Sequence, residues 1–233
     1  MTNIANNLEI VRSQINVACQ NAQRSTETVT LLAVSKTRPA DELRAAYTQG
    51  QLDFGENYLQ ESLEKIEQLQ DLEICWHFIG PIQSNKTRPI AESFNWVHSV
   101  DRLKVAQRLS AQRPDQLPPL NICLQINISG EESKSGILPE QLPELASQVL
   151  QLPNIQLRGL MAIPASSEDP QQQRRPFARM RELLQQLQLN HPDHSELDTL
   201  SMGMSGDMDA AIAEGASIVR IGTAIFGARV YSK

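Results

Sequence analysis

Apolar positions along the chain change their period repeatedly. Ile4, Leu8, Val11, Ile15 and Ala18 recur every three or four residues, which predicts an amphipathic opening helix over residues 2–24. Beyond it, short apolar runs of strand length fall at 28–35, 52–55, 74–79, 96–100, 121–128, 155–163, 197–201 and 218–221. Stretches with helical spacing fill the gaps at 40–49, 58–70, 84–94, 101–112, 139–151, 170–188 and 207–215. Continuous apolar strands alternating with amphipathic helices indicate parallel strands joined by crossovers. Eight such units predict an α/β fold, a single (β/α)8 TIM barrel over residues 1–233 with the opening helix as an extra element. A doubly wound open sheet is the competing reading, but no GxGxxG follows the first strand. Residues 128–140 read as a Gly/Ser/Glu loop after the fifth strand.

Composition narrows the function classes. The formal charge is −6, and no basic block interrupts the chain, so nucleic acid and anionic membranes are poor partners. Cys19, Cys75 and Cys123 lie far apart, with no CxxC and no metal-ligand spacing. Cys75 and Cys123 sit in apolar runs and read as buried thiols in a reducing compartment. The first residues lack a basic segment followed by an apolar one, and no run of 18 apolar residues occurs. The expectation is a cytoplasmic protein without a membrane segment.

In a barrel the C-terminal strand ends form the active face, so chemistry is sought there. The first strand ends at Ser35-Lys36, straight after an apolar run. The second runs into "FGENY", the third into "WHFIGPIQSNK", and the sixth carries Met161 near its tip. The seventh gives "LSMGMSGDMDAAIA", where Gly203, Ser205 and Gly206 precede a helix starting near Asp207. Glycines let backbone N–H groups converge, and serines add hydroxyls, which together make an anion cup. In "RIGTAIFG" the eighth strand contributes Gly222 and Thr223. The tips of strands seven and eight are a frequent phosphate site in barrels. A lysine across the mouth from a phosphate cup suits pyridoxal 5'-phosphate (PLP), held at one end by phosphate and at the other by an imine. The same pair also suits a Schiff-base aldolase acting on a sugar phosphate. A metal hydrolase built on "HPDHSE" (His191, His194, Glu196) is disfavoured, because that segment precedes the seventh strand and lies on the opposite face.

Taken together, "LLAVSKTRP", "FGENY", "WHFIGPIQSNK", "GLMAI", "LSMGMSGDMDAAIAEGA" and "VRIGTAIFG" resemble the pyridoxal phosphate homeostasis protein family, in the family's order from residue 29 to residue 227. The resemblance implies a barrel like the N-terminal domain of alanine racemase, with PLP covalently bound to Lys36. It implies a phosphate site among Ser201, Met202, Ser205, Gly222 and Thr223. Arg220 is then expected to approach the cofactor and Asn57 to lie near its ring, with His77 and Met161 as looser neighbours. It further implies a monomer that holds and delivers PLP, with PLP-dependent apo-enzymes as recipients and no defined reaction.

The place the resemblance implies for Arg220, at the ring nitrogen, and the positions of the tyrosines favour a carrier over a catalyst. Strong PLP enzymes keep the ring nitrogen protonated beside a carboxylate, whereas an arginine there disfavours the proton. A racemase also needs a second acid/base. Tyr47 falls inside a predicted helix, Tyr58 at a helix start, and Tyr231 near the terminus. A low-activity amino-acid racemase remains the alternative within PLP chemistry.

Overall fold

A computed structural model describes residues 3–131, 134–167 and 169–228. Tyr231 and Lys233 lie outside these residues, as do two positions of the loop after the fifth strand. The helix α1 (Ile4–Asn21) comes first. Eight strands follow: β1 (Thr30–Val34), β2 (Asp53–Glu56), β3 (Cys75–Phe78), β4 (Trp96–Val100), β5 (Leu120–Gln125), β6 (Ile155–Met161), β7 (Thr199–Ser201) and β8 (Ile218–Ile221). They pair in parallel in chain order, and β8 returns to β1 to close the barrel. Between them run α2 (Ala40–Tyr47), α3 (Leu59–Gln68), α4 (Thr87–Ser93), α5 (Leu103–Gln112), α6 (Leu142–Val149), α7 (Pro170–Asn190) and α8 (Met208–Ala213). A short α9 (Thr223–Phe226) follows β8 and was not anticipated. Asn7 of α1 donates to Ile225 O, so the opening helix is tied to the chain leaving β8.

The strands alternate as pleating demands. On β1, Leu31 and Ala33 join the hydrophobic cluster shared with the helices. Leu32 points the other way, beneath Gly55 of β2, and is paired in register with Arg220 of β8. On β3, Trp76 and Phe78 face the helices, and Cys75 and His77 therefore face inward. The interior is more polar than an ordinary barrel core of branched aliphatics. His77, His98, Ser201 and Arg220 are all buried there.

Candidate functional site

A cavity of about 330 Å³ opens at the C-terminal ends of the strands, at the lower end of the range for ligand pockets. Lys36, Asn57, Met161 and Arg220 line it, with Ser205, Gly206, Gly222 and Thr223. Residues widely separated in the chain thus meet in one mouth. Arg38, Ile79, Ile163 and Met204 also line it and were not singled out in the sequence.

Lys36 is presented by an over-determined turn. Ser35 N donates to Gly55 O at 3.0 Å, fixing the last residue before the lysine to β2. The Ser35 hydroxyl donates to Glu56 Oε1 at 2.6 Å, and Lys65 Nζ donates to Ser35 O at 2.7 Å. Lys65 also pairs with Glu56 at 2.7 Å and with Glu61 at 2.5 Å. Glu61 Oε1 in turn accepts from Thr37 N at 2.5 Å. Thr37 adopts φ of 65°, a left-handed conformation that a threonine keeps only when its neighbours impose it. Burial raises the Glu56 carboxyl above the ordinary range, against the lowering pull of Lys65 and Ser35. Lys65, read from the sequence only as one more helical lysine, is buried and braces the turn on both sides of Lys36.

Asn57 is set by a close approach. A Cβ on Gly80 would lie 2.0 Å from Asn57 O, so only glycine lets the chain leaving β3 pass against the tip of β2. Gly80→Ala is expected to cost about 1–3 kcal/mol through overpacking and to displace Asn57. Urea unfolding checks this, and an unchanged midpoint would remove Gly80 from the account. Asn57 lines the cavity, and its Oδ1 is buried with no hydrogen-bond partner among the described residues. A buried acceptor of that kind awaits a donor.

The opposite wall is the β7–α8 turn. Gly203 takes φ of 95°, and a Cβ there would meet Ala211 Cβ at 2.5 Å. Met204 N donates to Asp207 Oδ1 at 2.6 Å, and Asp207 N donates back to Met204 O at 3.1 Å. That closed turn leaves Ser205 and Gly206 exposed at its apex, beside Gly222 and Thr223 at the start of α9.

Three expected neighbours are placed elsewhere. Ser201 is fully buried, and its hydroxyl is engaged by Arg220 Nη1 at 2.9 Å and His98 Nδ1 at 2.7 Å. Met202 is buried in the core, with its N–H donating to Ile218 O at 3.1 Å. Neither lines the cavity, although Ser201 is paired in register with Met161 of β6, which does. His77 is buried inside the barrel and does not line the cavity.

Arg220 joins the cavity to buried Ser201. It donates to Ser201 O at 2.5 Å and to Ala162 O at 2.8 Å, and burial pushes it down to about 10, where it still keeps its charge at neutral pH. A chain of hydrogen bonds continues from it. Ser201 Oγ meets His98 Nδ1, His98 Nε2 meets His77 Nδ1 at 2.9 Å, and His77 Nε2 meets Asp53 Oδ1 at 2.9 Å. The guanidinium only donates and a carboxylate only accepts, so with neutral rings every donor points from Arg220 toward Asp53. Burial lowers both histidines, consistent with neutral rings.

A closed parallel barrel with a lysine and a Gly/Ser turn facing each other across its mouth belongs to a recognisable class. The chain is a member of the alanine racemase N-terminal domain family, whose profile matches residues 7–230. Within that class it belongs to the pyridoxal phosphate homeostasis protein family, by full-length similarity to proteins of that name. The Pseudomonas aeruginosa relative is 63% identical over 99% of this chain and 98% of its own length. The Escherichia coli K12 relative is 53% identical over all of both chains. Solved structures of PipY from Synechococcus elongatus, 38% identical and covering 97% of this chain and 100% of that one, superpose with TM-scores of 0.87 without PLP and 0.84 with PLP bound. Alanine racemase from Corynebacterium glutamicum, at 18% identity and TM-score 0.66, shares the fold over 97% of this chain and 61% of that one. No helix among the described residues is long and apolar enough to cross a membrane.

Proposed function

We propose that this chain binds PLP through a Schiff-base link to Lys36 and serves in PLP homeostasis as a holder and donor, with PLP-dependent apo-enzymes as recipients. The observation that carries the reading is one cavity lined by Lys36 on one side and by Ser205, Gly206, Gly222 and Thr223 on the other. The residues fit the group. The unpartnered Asn57 Oδ1 offers an acceptor for a phenolic or imine N–H or O–H donor, and the exposed turn apex offers hydroxyl and backbone donors for phosphate. When bound, PLP supplies an electrophilic aldehyde carbon and an electron-accepting ring.

The residues present support holding more than turnover. Arg220 offers a ring nitrogen only donors and positive charge, which keeps a proton off it. No tyrosine lines the cavity among the described residues: Tyr58 follows Asn57 but is exposed, and Tyr47 lies on α2. The described residues fold as one barrel, in keeping with a single domain.

The decisive experiment is an absorbance spectrum of the protein as purified, before and after borohydride. A near-visible band that borohydride abolishes supports the link, while a colourless protein that binds sugar phosphate would replace this reading with the aldolase. Substrate-dependent loss of an amino-acid α-hydrogen would replace it with a racemase. Within the site, Ser205→Ala is expected to weaken PLP by about 1.5–3 kcal/mol, the worth of a charged hydrogen bond, while leaving phosphate-free pyridoxal unchanged. Ser201→Ala breaks the Arg220–His98 bridge instead and is expected to weaken both ligands alike. Equal losses from Ser205→Ala would take that turn out of the phosphate site.

A further inference from the structure

We propose that Asp53, Cys75 and His77 form a binding site for a thiophilic divalent cation of the Zn²⁺ class, at the end of the barrel opposite Lys36. The three residues come from two neighbouring strands. Asp53 opens β2 and Cys75 opens β3, and the two are paired in register. His77 follows Cys75 by two residues and so shares its inward face. One ligand atom from each, an oxygen, a sulfur and a nitrogen, lie within 4.8 Å of one another.

The convergence matches the ligand set of a cation. Cys75 Sγ lies 3.3 Å from His77 Nε2, and Asp53 Oδ1 lies 2.9 Å from the same nitrogen. That nitrogen carries at most one hydrogen, and the thiol brings its own to Asp53, so all three groups converge on one point. Zinc bonded to sulfur at ~2.3 Å and to nitrogen and oxygen at ~2.1 Å in a tetrahedron spaces such atoms roughly 3.4–3.6 Å apart. The sulfur–nitrogen and oxygen–nitrogen separations, 3.3 and 2.9 Å, need open by only about 0.3–0.5 Å to match it, and the sulfur and oxygen already lie within 4.8 Å of each other. Thiolate and carboxylate together balance the dication's charge, so a site walled by protein is left neutral. The sulfur and the imidazole favour zinc-like ions over magnesium or calcium, which seek oxygen.

The surroundings match what a metal-bound imidazole needs. The Trp96 ring stacks on His77 with centroids 5.6 Å apart and planes 8° from parallel, which fixes the ring's orientation. His77 Nδ1 faces His98 Nε2 at 2.9 Å, and a ligating histidine requires such a partner at its second nitrogen. The Asp53 side chain is 29% exposed and Cys75 is half-buried, so the cation enters from the N-terminal face and water completes its coordination. On binding, the Cys75 thiol proton leaves to solvent as the sulfur–metal bond forms. His77 stays neutral: its hydrogen moves from Nε2 to Nδ1 and donates to His98 Nε2, whose own hydrogen moves to Nδ1 and donates to Ser201 Oγ, with the serine hydroxyl hydrogen turning away from His98.

Two titrations of the full-length protein test this. Zn²⁺ competed against a chromophoric chelator should bind at one equivalent, and Cd²⁺ should give a thiolate charge-transfer band in the ultraviolet, clear of cofactor absorbance. Cys75→Ser is expected to abolish the band and weaken Zn²⁺ by more than ~100-fold, beyond the 10–100-fold cost of losing an outer partner. Asp53→Asn should keep the band and weaken Zn²⁺ at least ~10-fold. Cys19→Ser and Lys36→Ala should leave both signals intact. A band that survives Cys75→Ser, or Zn²⁺ held no more tightly by wild type than by Cys75→Ser, would reduce the trio to a hydrogen-bonded cluster. If Cys75→Ser does not fold, wild-type Zn²⁺ affinity in Asp53→Asn would overturn the proposal by itself.

Discussion

Lys36→Ala is expected to abolish borohydride trapping of PLP and the imine absorbance, while the barrel stays folded and keeps weakened, phosphate-anchored binding. The two losses separate because the two anchors are separate. Lys36 is half-buried at the mouth and takes no part in the hydrophobic core, so truncation leaves no cavity behind. The opposite turn is closed by its own bond between Met204 and Asp207. Reduction, digestion and peptide mapping of the wild type locate the link directly. Lys86 and Lys104 are exposed, so a label on either, or one scattered over several lysines, would refute the role given to the tip of β1.

Lys65→Met is expected to show the opposite profile, a loss of about 3–5 kcal/mol in stability, the usual cost of breaking a buried ion pair from one side. The substitution keeps the length of the side chain and removes its charge. Glu56 is then left fully buried without its cation, and Ser35 O loses a donor. Glu56 Oε2 already lacks a partner among the described residues, so no slack exists to absorb the change. Urea unfolding measures the loss, and a shift below about 1 kcal/mol would show that the cluster is not held as described. Label mapped in this variant, where it folds, should still sit on Lys36.

The barrel was legible because parallel strands buried on both faces read as uninterrupted apolar runs, and each run here found its strand within a few residues. The short α9 was not, since four residues are too few to show a helical period, and "GTAIFG" reads as a strand running out. That Lys36, Asn57, Ser205 and Gly222 would meet at the mouth of the barrel was legible from the strand-tip rule. Depth was not: Ser201 and Ser205 look alike in sequence, yet one is fully buried off the cavity and the other is exposed at its rim. Lys65 sits on the face of α3 that also buries Ser62, so no apolar stripe marked it. The trio of Asp53, Cys75 and His77 was invisible to spacing rules because its members are joined by strand register, not by sequence interval. The same holds for the histidines, whose partners are 21 and 103 residues away.

The line of bonds from Arg220 to Asp53 has a mechanical meaning. Its five residues sit on β8, β7, β4, β3 and β2, so it crosses the lumen and stitches five of the eight staves together from within. Oily contacts tolerate a strand that slides by one residue, whereas a row of directional bonds with a fixed donor at one end and a fixed acceptor at the other does not. A one-residue slip on any of these strands would turn its polar side chain outward into the helices and leave one neighbour at the ends of the line, or two within it, without a partner. The stitching acts as a key for the shear of the barrel, and holds the rim above it, Lys36 included, at one circumference.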